Sequence, residues 1–117
     1  MRWALAIGYA VLILTVSSIL SDEFPVGMPL HLDKVAHAVE YAILVLLVCR
    51  AWRTPTSKTL ILIALSCTIY GILDELHQYL IVGRDPSVWD AAADAVGCTI
   101  AAAVWHAKGL VLTSKKV

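Results

Sequence analysis

Two stretches of this chain gather ionisable side chains at spacings that could do chemistry. DELHQYLIVGRDPSVWDAAAD, residues 74–94, holds five carboxylates, a histidine, a glutamine and an arginine. LDKVAHAVEY, residues 32–41, adds Asp33, Lys34, His37, Glu40 and Tyr41. Asp74 and Glu75 are adjacent, and like charges in one site share protons, which suits general acid–base work. His37 follows Asp33 by one helical turn, a spacing at which a carboxylate can fix an imidazole tautomer for a general base. An enzyme built this way would use His37, Glu40, Asp74 and Glu75. The sequence has no G-x-S-x-G elbow, and its serines lie elsewhere, so no covalent nucleophile is indicated. A metal set could be drawn from His37, Glu40, Glu75 and His77, but H-E-x-x-H is missing and so is a cysteine pair. No cofactor and no resident metal are therefore expected. Cys49, Cys67 and Cys98 are odd in number and sit in apolar runs, which suits packing better than disulfides or catalysis. As a binding surface, Gln78 and Tyr41 can exchange hydrogen bonds, and Arg84 can take a phosphate. The excess of acid would repel an anionic ligand unless cations intervene.

The elements that must hold these groups are helices. At 100° per residue, Asp33, His37, Glu40 and Tyr41 fall within an arc of about 100°. Tyr70, Asp74, Glu75, His77 and Gln78 share a broader face, while Asp90, Asp94, Gly97 and Ala101 form one stripe. Glu40 and Asp94 would lie on the order of 10 Å inside their helix ends, with Asp74 as deep or deeper. Lone carboxylates at such depth are costly, so the three faces are expected to bury against one another around an outward-opening cleft. The candidate ligand-binding set is Asp33, Lys34, His37, Tyr41, Tyr70, Asp74, Glu75, Gln78, Arg84, Asp90 and Asp94. The blander alternative is a network that only locks helices together. In that view Asp33, Lys34, Asp22 and Glu23 are interfacial, and Arg84 clamps Asp85, Asp90 or Glu75.

Composition supports a membrane setting. Of 117 residues, 60% are hydrophobic and 15% charged, with a mean hydropathy of +0.80; soluble domains carry about a quarter charged residues. Four runs could span a bilayer: Trp3 to Leu20, Val35 to Trp52, Thr59 to Val82 and Val88 to Ala107. The last is the least apolar and relies on small residues for close packing. Pro25, Gly27, Pro29, Pro55, Gly83 and Pro86 separate the runs, and neither strand alternation nor an internal repeat is visible. The first run also has features of a signal peptide, but its length and poor cleavage site favour a retained span. With four spans, Arg2, Arg50, Arg53, Lys58, Lys108, Lys115 and Lys116 share one side, leaving Lys34 and Arg84 on the other. The first side is then cytoplasmic. Asp22, Glu23, Asp33, Glu40, Asp74, Glu75, Asp85, Asp90 and Asp94 all fall in the outer half. Trp3, Trp52, Trp89 and Trp105 lie near span ends, as interfacial aromatics do. The expected fold is an all-α integral membrane protein: one domain over 1–117, a bundle of four transmembrane helices with both termini cytoplasmic. A net charge of zero gives no reason to expect a nucleic-acid partner. The inner half is almost without polar groups, which argues against a proton-coupled carrier.

The two polar stretches resemble the signatures of the VanZ-like family. LDKVAHAVEYAIL matches the first through Asp33, Lys34, His37 and Tyr41. YGILDELHQYLIVGRDPSVWDAAADAVG matches the second through Asp74, Glu75, Gln78, Arg84, Asp90 and Gly97. The resemblance runs from about Leu32 to Gly97, over half the chain. Asp94 stands where the family commonly has asparagine, and Ala101 where it has a second glycine. The resemblance implies a bacterial cytoplasmic-membrane protein of the cell envelope, in a family named for a member linked to teicoplanin resistance. It implies a location and a context without a reaction. Two functions follow as expectations. One is a module binding the head group of an envelope amphiphile, a lipid-linked precursor or a glycopeptide-related ligand. The other is an acid–base or metal-assisted enzyme acting on such a head group.

Overall fold

An apolar run in lipid has no hydrogen-bond partner for its backbone but itself, so it closes into a helix. The computed structural model contains α1 (Arg2–Leu20), α2 (Leu30–Trp52), α3 (Ser57–Val82) and α4 (Val88–Lys115). It describes residues 2–20, 30–53, 55–82 and 88–115, with side chains over 2–16, 34–53, 55–77, 79–80 and 88–109. No strand occurs among the described residues. Helix α2 begins at Leu30, directly after Pro29, rather than at Val35, and α4 runs on past Ala107 to Lys115. Hydropathy marks the thickness of lipid, whereas a helix continues until a breaker or cap stops it.

One such stop is visible between α2 and α3. Arg53 adopts a φ of 79° and its N–H donates to the Cys49 carbonyl at 3.1 Å, which is a left-handed C-terminal cap. Thr56 then starts α3: its hydroxyl accepts from the Thr59 N–H at 3.2 Å, and its carbonyl accepts from the Leu60 N–H at 2.8 Å. A threonine cap of this kind satisfies donors that the first turn leaves open.

Helix α2 is the hub of the bundle and packs on all three other helices, while among the described residues α1 leans on α2 and α3. The α2–α4 seam is the tightest, because Gly97 lies directly against the backbone of Ala38. Tyr41, Val45, Cys49 and Cys98 are fully buried beside Ile13, Leu60 and Ile63. The outer faces are apolar instead: Leu80 is 69% exposed and Ile61 61%, whereas Asp90 and Asp94 are each 1% exposed. This inverts the pattern of a soluble protein and suits a surface solvated by lipid. Lys34–Trp52, Ser57–His77 and Val88–Gly109 are long and apolar enough to cross a membrane, and the apolar stretch described in α1, Arg2–Val16, is shorter. Trp3 and Trp52 meet edge to face at 5.9 Å. They mark one end of the bundle, where Arg2, Arg50, Arg53 and Lys58 are exposed. The described carboxylates, Glu40, Asp74, Glu75, Asp90 and Asp94, lie toward the opposite end.

Candidate functional site

Three helices build the polar end. Helix α2 supplies Lys34, His37, Glu40 and Tyr41, α3 supplies Asp74 and Glu75, and α4 supplies Asp90 in its first turn and Asp94 one turn deeper. Asp74, Glu75, Asp90 and Asp94 are all buried, at 4%, 7%, 1% and 1% exposure, and Tyr41 is wholly enclosed. The parts of the three helical faces that carry these residues therefore turn toward one another.

The contacts run mainly between α2 and α4. Lys34 pairs with Asp90 Oδ1. His37 Nδ1 lies 3.1 Å from Asp94 Oδ1, and its Nε2 lies 4.0 Å from Asp90 Oδ2. With Asp94 ionised, Nδ1 donates the hydrogen bond and the tautomer carries its lone pair on Nε2. Behind this pair Tyr41 donates to Asp74 Oδ2 at 3.4 Å. Glu40 is half-buried and within electrostatic reach of His37, Asp74 and Asp94. Among the described side chains, Lys34 is the one lysine or arginine at this end. Negative groups thus outnumber positive ones in a region that disfavours charge.

Several sequence expectations are refined here. Lys34, read as interfacial, has a side chain 25% exposed and an α4 partner. Tyr70, read as part of the polar face, donates from its hydroxyl to the Ala10 carbonyl at 2.5 Å and so ties α3 to α1. Its ring leans on Tyr41 with centroids 6.3 Å apart. Of the metal set drawn from sequence, Glu40 and His77 do not join the group that geometry selects; His37, Glu75 and Asp90 bring donor atoms within 4.8 Å of one another. His77 Nδ1 is buried and makes no hydrogen bond to another described group. The side chains of Asp33, Gln78 and Arg84 lie outside the described residues, as do those of Asp22, Glu23, His31 and Asp85. Cys49, Cys67 and Cys98 are free, buried thiols of the core.

Two features had gone unread. Gly71 on α3 faces Asp94, where a Cβ would stand 2.8 Å from Oδ2 and 3.1 Å from the Asp94 Cβ. The missing side chain makes room for the buried carboxylate. Tyr9 on α1 donates to the Glu40 carbonyl at 3.2 Å, fixing α1 beside the site. The signal for Gly71 was its place one turn before Glu75 on the polar face of α3.

The sequence pattern of the VanZ/LLP1 family matches residues 4–111 and so covers every residue of this cluster. No curated protein and no solved structure matches the chain. A match across nearly the whole length, on helices able to cross a membrane, leads to one conclusion: this is a membrane protein that belongs to the VanZ/LLP1 family.

Proposed function

We propose that the protein is a single-module binder of envelope amphiphiles, set in the bacterial cytoplasmic membrane with both termini inside. Its polar end faces outward and takes the head group of a lipid-linked wall precursor or a glycopeptide-related molecule. The observation that carries this reading is the convergence of His37, Glu75, Asp90 and Asp94 from three helices in a buried cluster. Carboxylates and an imidazole gathered in this way can exchange hydrogen bonds with a head group rich in hydroxyl, amide or amine groups. Lys34 adds a cation for a phosphate. Support also comes from an apolar cavity of about 440 Å³ between α1, α2 and α3, bordered by Ala6, Leu44, Cys67 and Tyr70. Tyr70 reaches from this cavity to Tyr41 beside the polar cluster, so a hydrocarbon chain and its head could occupy neighbouring volumes. Such a role would link the chain to glycopeptide resistance through the availability of the bound molecule.

A second reading rests on the His37–Asp94 pair, which has the form of an oriented general base. Under it the head group is hydrolysed or transferred. One experiment separates the two readings. Purified protein in lipid nanodiscs is offered a polyprenyl-phosphate-linked saccharide and followed by native mass spectrometry. Binding predicts retention of the intact molecule by the wild type and at least tenfold weaker retention by Glu75→Gln. Steady product formation that His37→Ala abolishes would establish the enzyme instead. Equal retention by both proteins without turnover would exclude this end as the site.

A further inference from the structure

We propose that His37, Glu75 and Asp90 form a site for one divalent transition-metal ion of the zinc class. The assignment stands on their geometry and does not require the head-group reading. Each residue comes from a different helix, and each offers one donor atom within 4.8 Å of the other two. Ligands about 2.1 Å from a tetrahedral zinc ion stand roughly 3.4 Å apart. The trio therefore has to draw in by about 1 Å to close on an ion. Asp90 and Glu75 are more than nine-tenths buried, and the His37 side chain is 14% exposed, so the site excludes most water.

The imidazole is oriented for the task. Its Nδ1 faces Asp94 Oδ1 at 3.1 Å, and Nε2 faces Asp90 Oδ2 at 4.0 Å. The first distance is a hydrogen bond; the second is too long for one and lies a little beyond the roughly 3.4 Å between two ligands on a tetrahedral ion. A carboxylate behind a metal-binding histidine fixes its tautomer and raises its basicity, and Asp94 occupies that place. Gly71 makes the room for it. Lys34 engages Asp90 Oδ1 and leaves Oδ2 directed toward His37.

Charge points the same way. A divalent ion lowers the mutual repulsion of Glu75, Asp90 and Asp94, which stand close together at this end. One imidazole among carboxylates selects zinc and its neighbours over magnesium or calcium, which prefer all-oxygen shells. Three protein ligands leave a coordination position open, as in zinc sites that take water or a ligand oxygen. An anionic head group would then meet a cation where the bare carboxylates would repel it.

The test uses the full chain in detergent, freed of its purification tag and stripped with a chelator. Calorimetric titration with Zn²⁺ should show one equivalent bound, with Mg²⁺ at least a hundredfold weaker. His37→Ala, Glu75→Gln and Asp90→Asn should each weaken Zn²⁺ binding at least tenfold. His106→Ala, exposed near the other end of α4, should leave it unchanged. No binding by folded wild type, or equal binding by all three variants, would overturn the site. If the variants fail to fold, X-ray absorption of the Zn²⁺-loaded wild type decides. One imidazole nitrogen with oxygen neighbours supports the assignment, whereas sulfur or several imidazoles refute it. Loss of the zinc site with lipid retention intact would remove the ion and leave the head-group reading in place, and the reverse result would do the opposite.

Discussion

At the residue scale, the decisive partnerships cross between helices. Spacing offered Asp33 as the carboxylate behind His37, because only neighbours on one helix can be read from a sequence. Among the described side chains the imidazole's partner is Asp94, 57 residues further on, while the side chain of Asp33 lies outside them. Lys34 likewise finds Asp90 on α4. That His37, Tyr41, Asp74, Glu75, Asp90 and Asp94 gather at one end was legible, since burying isolated carboxylates is prohibitive, while their pairings depended on how helices rotate and slide. Gly71 was missed for the same reason: its value lies in a space that only α4 fills. Gly71→Ala should force Asp94 aside and destabilise the protein by about 1–3 kcal/mol, as overpacking does. Adding Asp94→Ala should recover part of that loss, because the pair shares one volume. Thermal melting of the single and double variants checks this, and an unchanged melting temperature for Gly71→Ala would show that Asp94 is not confined there.

At the element scale, four helices were legible from apolar runs and breakers, and their ends less so. Residues 30–34 and 108–115 are too polar to register as lipid-facing, yet nothing in them stops a helix, so α2 and α4 extend through them. Small residues on α4 were read as a packing stripe, and the α2–α4 seam bears this out at Gly97. A Cβ there would stand 2.7 Å from the Ala38 carbonyl carbon and 2.9 Å from its Cα. Backbone cannot yield as a side chain can. Gly97→Ala should therefore lower folded yield in detergent, and Gly97→Leu should lower it further. Gly109 has nothing within 4 Å, and Gly109→Ala should leave yield and melting unchanged or raise them slightly. Size-exclusion profiles of the three variants decide the matter. If Gly97→Leu behaves like wild type, that face of α4 meets lipid.

At the scale of the whole molecule, charge is sorted by end. Exposed Arg2, Arg50, Arg53, Lys58 and Lys108 gather at the end opposite the carboxylates. Positive charge is retained in the cytoplasm, so reporters fused after Thr56 and at the C-terminus should read cytoplasmic, and one between Gly27 and His31 external. An external C-terminal reporter would overturn the arrangement. The close fit of Asp94 between Gly71 and His37 also bears on how the protein is made. Helix α4 emerges after the other three and carries Asp90 and Asp94, each costing about 3 kcal/mol if set alone at the centre of a bilayer. Its lysine and histidine partners lie on α2, already synthesised, and the notch that admits Asp94 lies on α3. The segment least able to enter lipid alone is therefore received by a prepared berth, and its integration depends on the earlier helices having stayed together near the site of insertion.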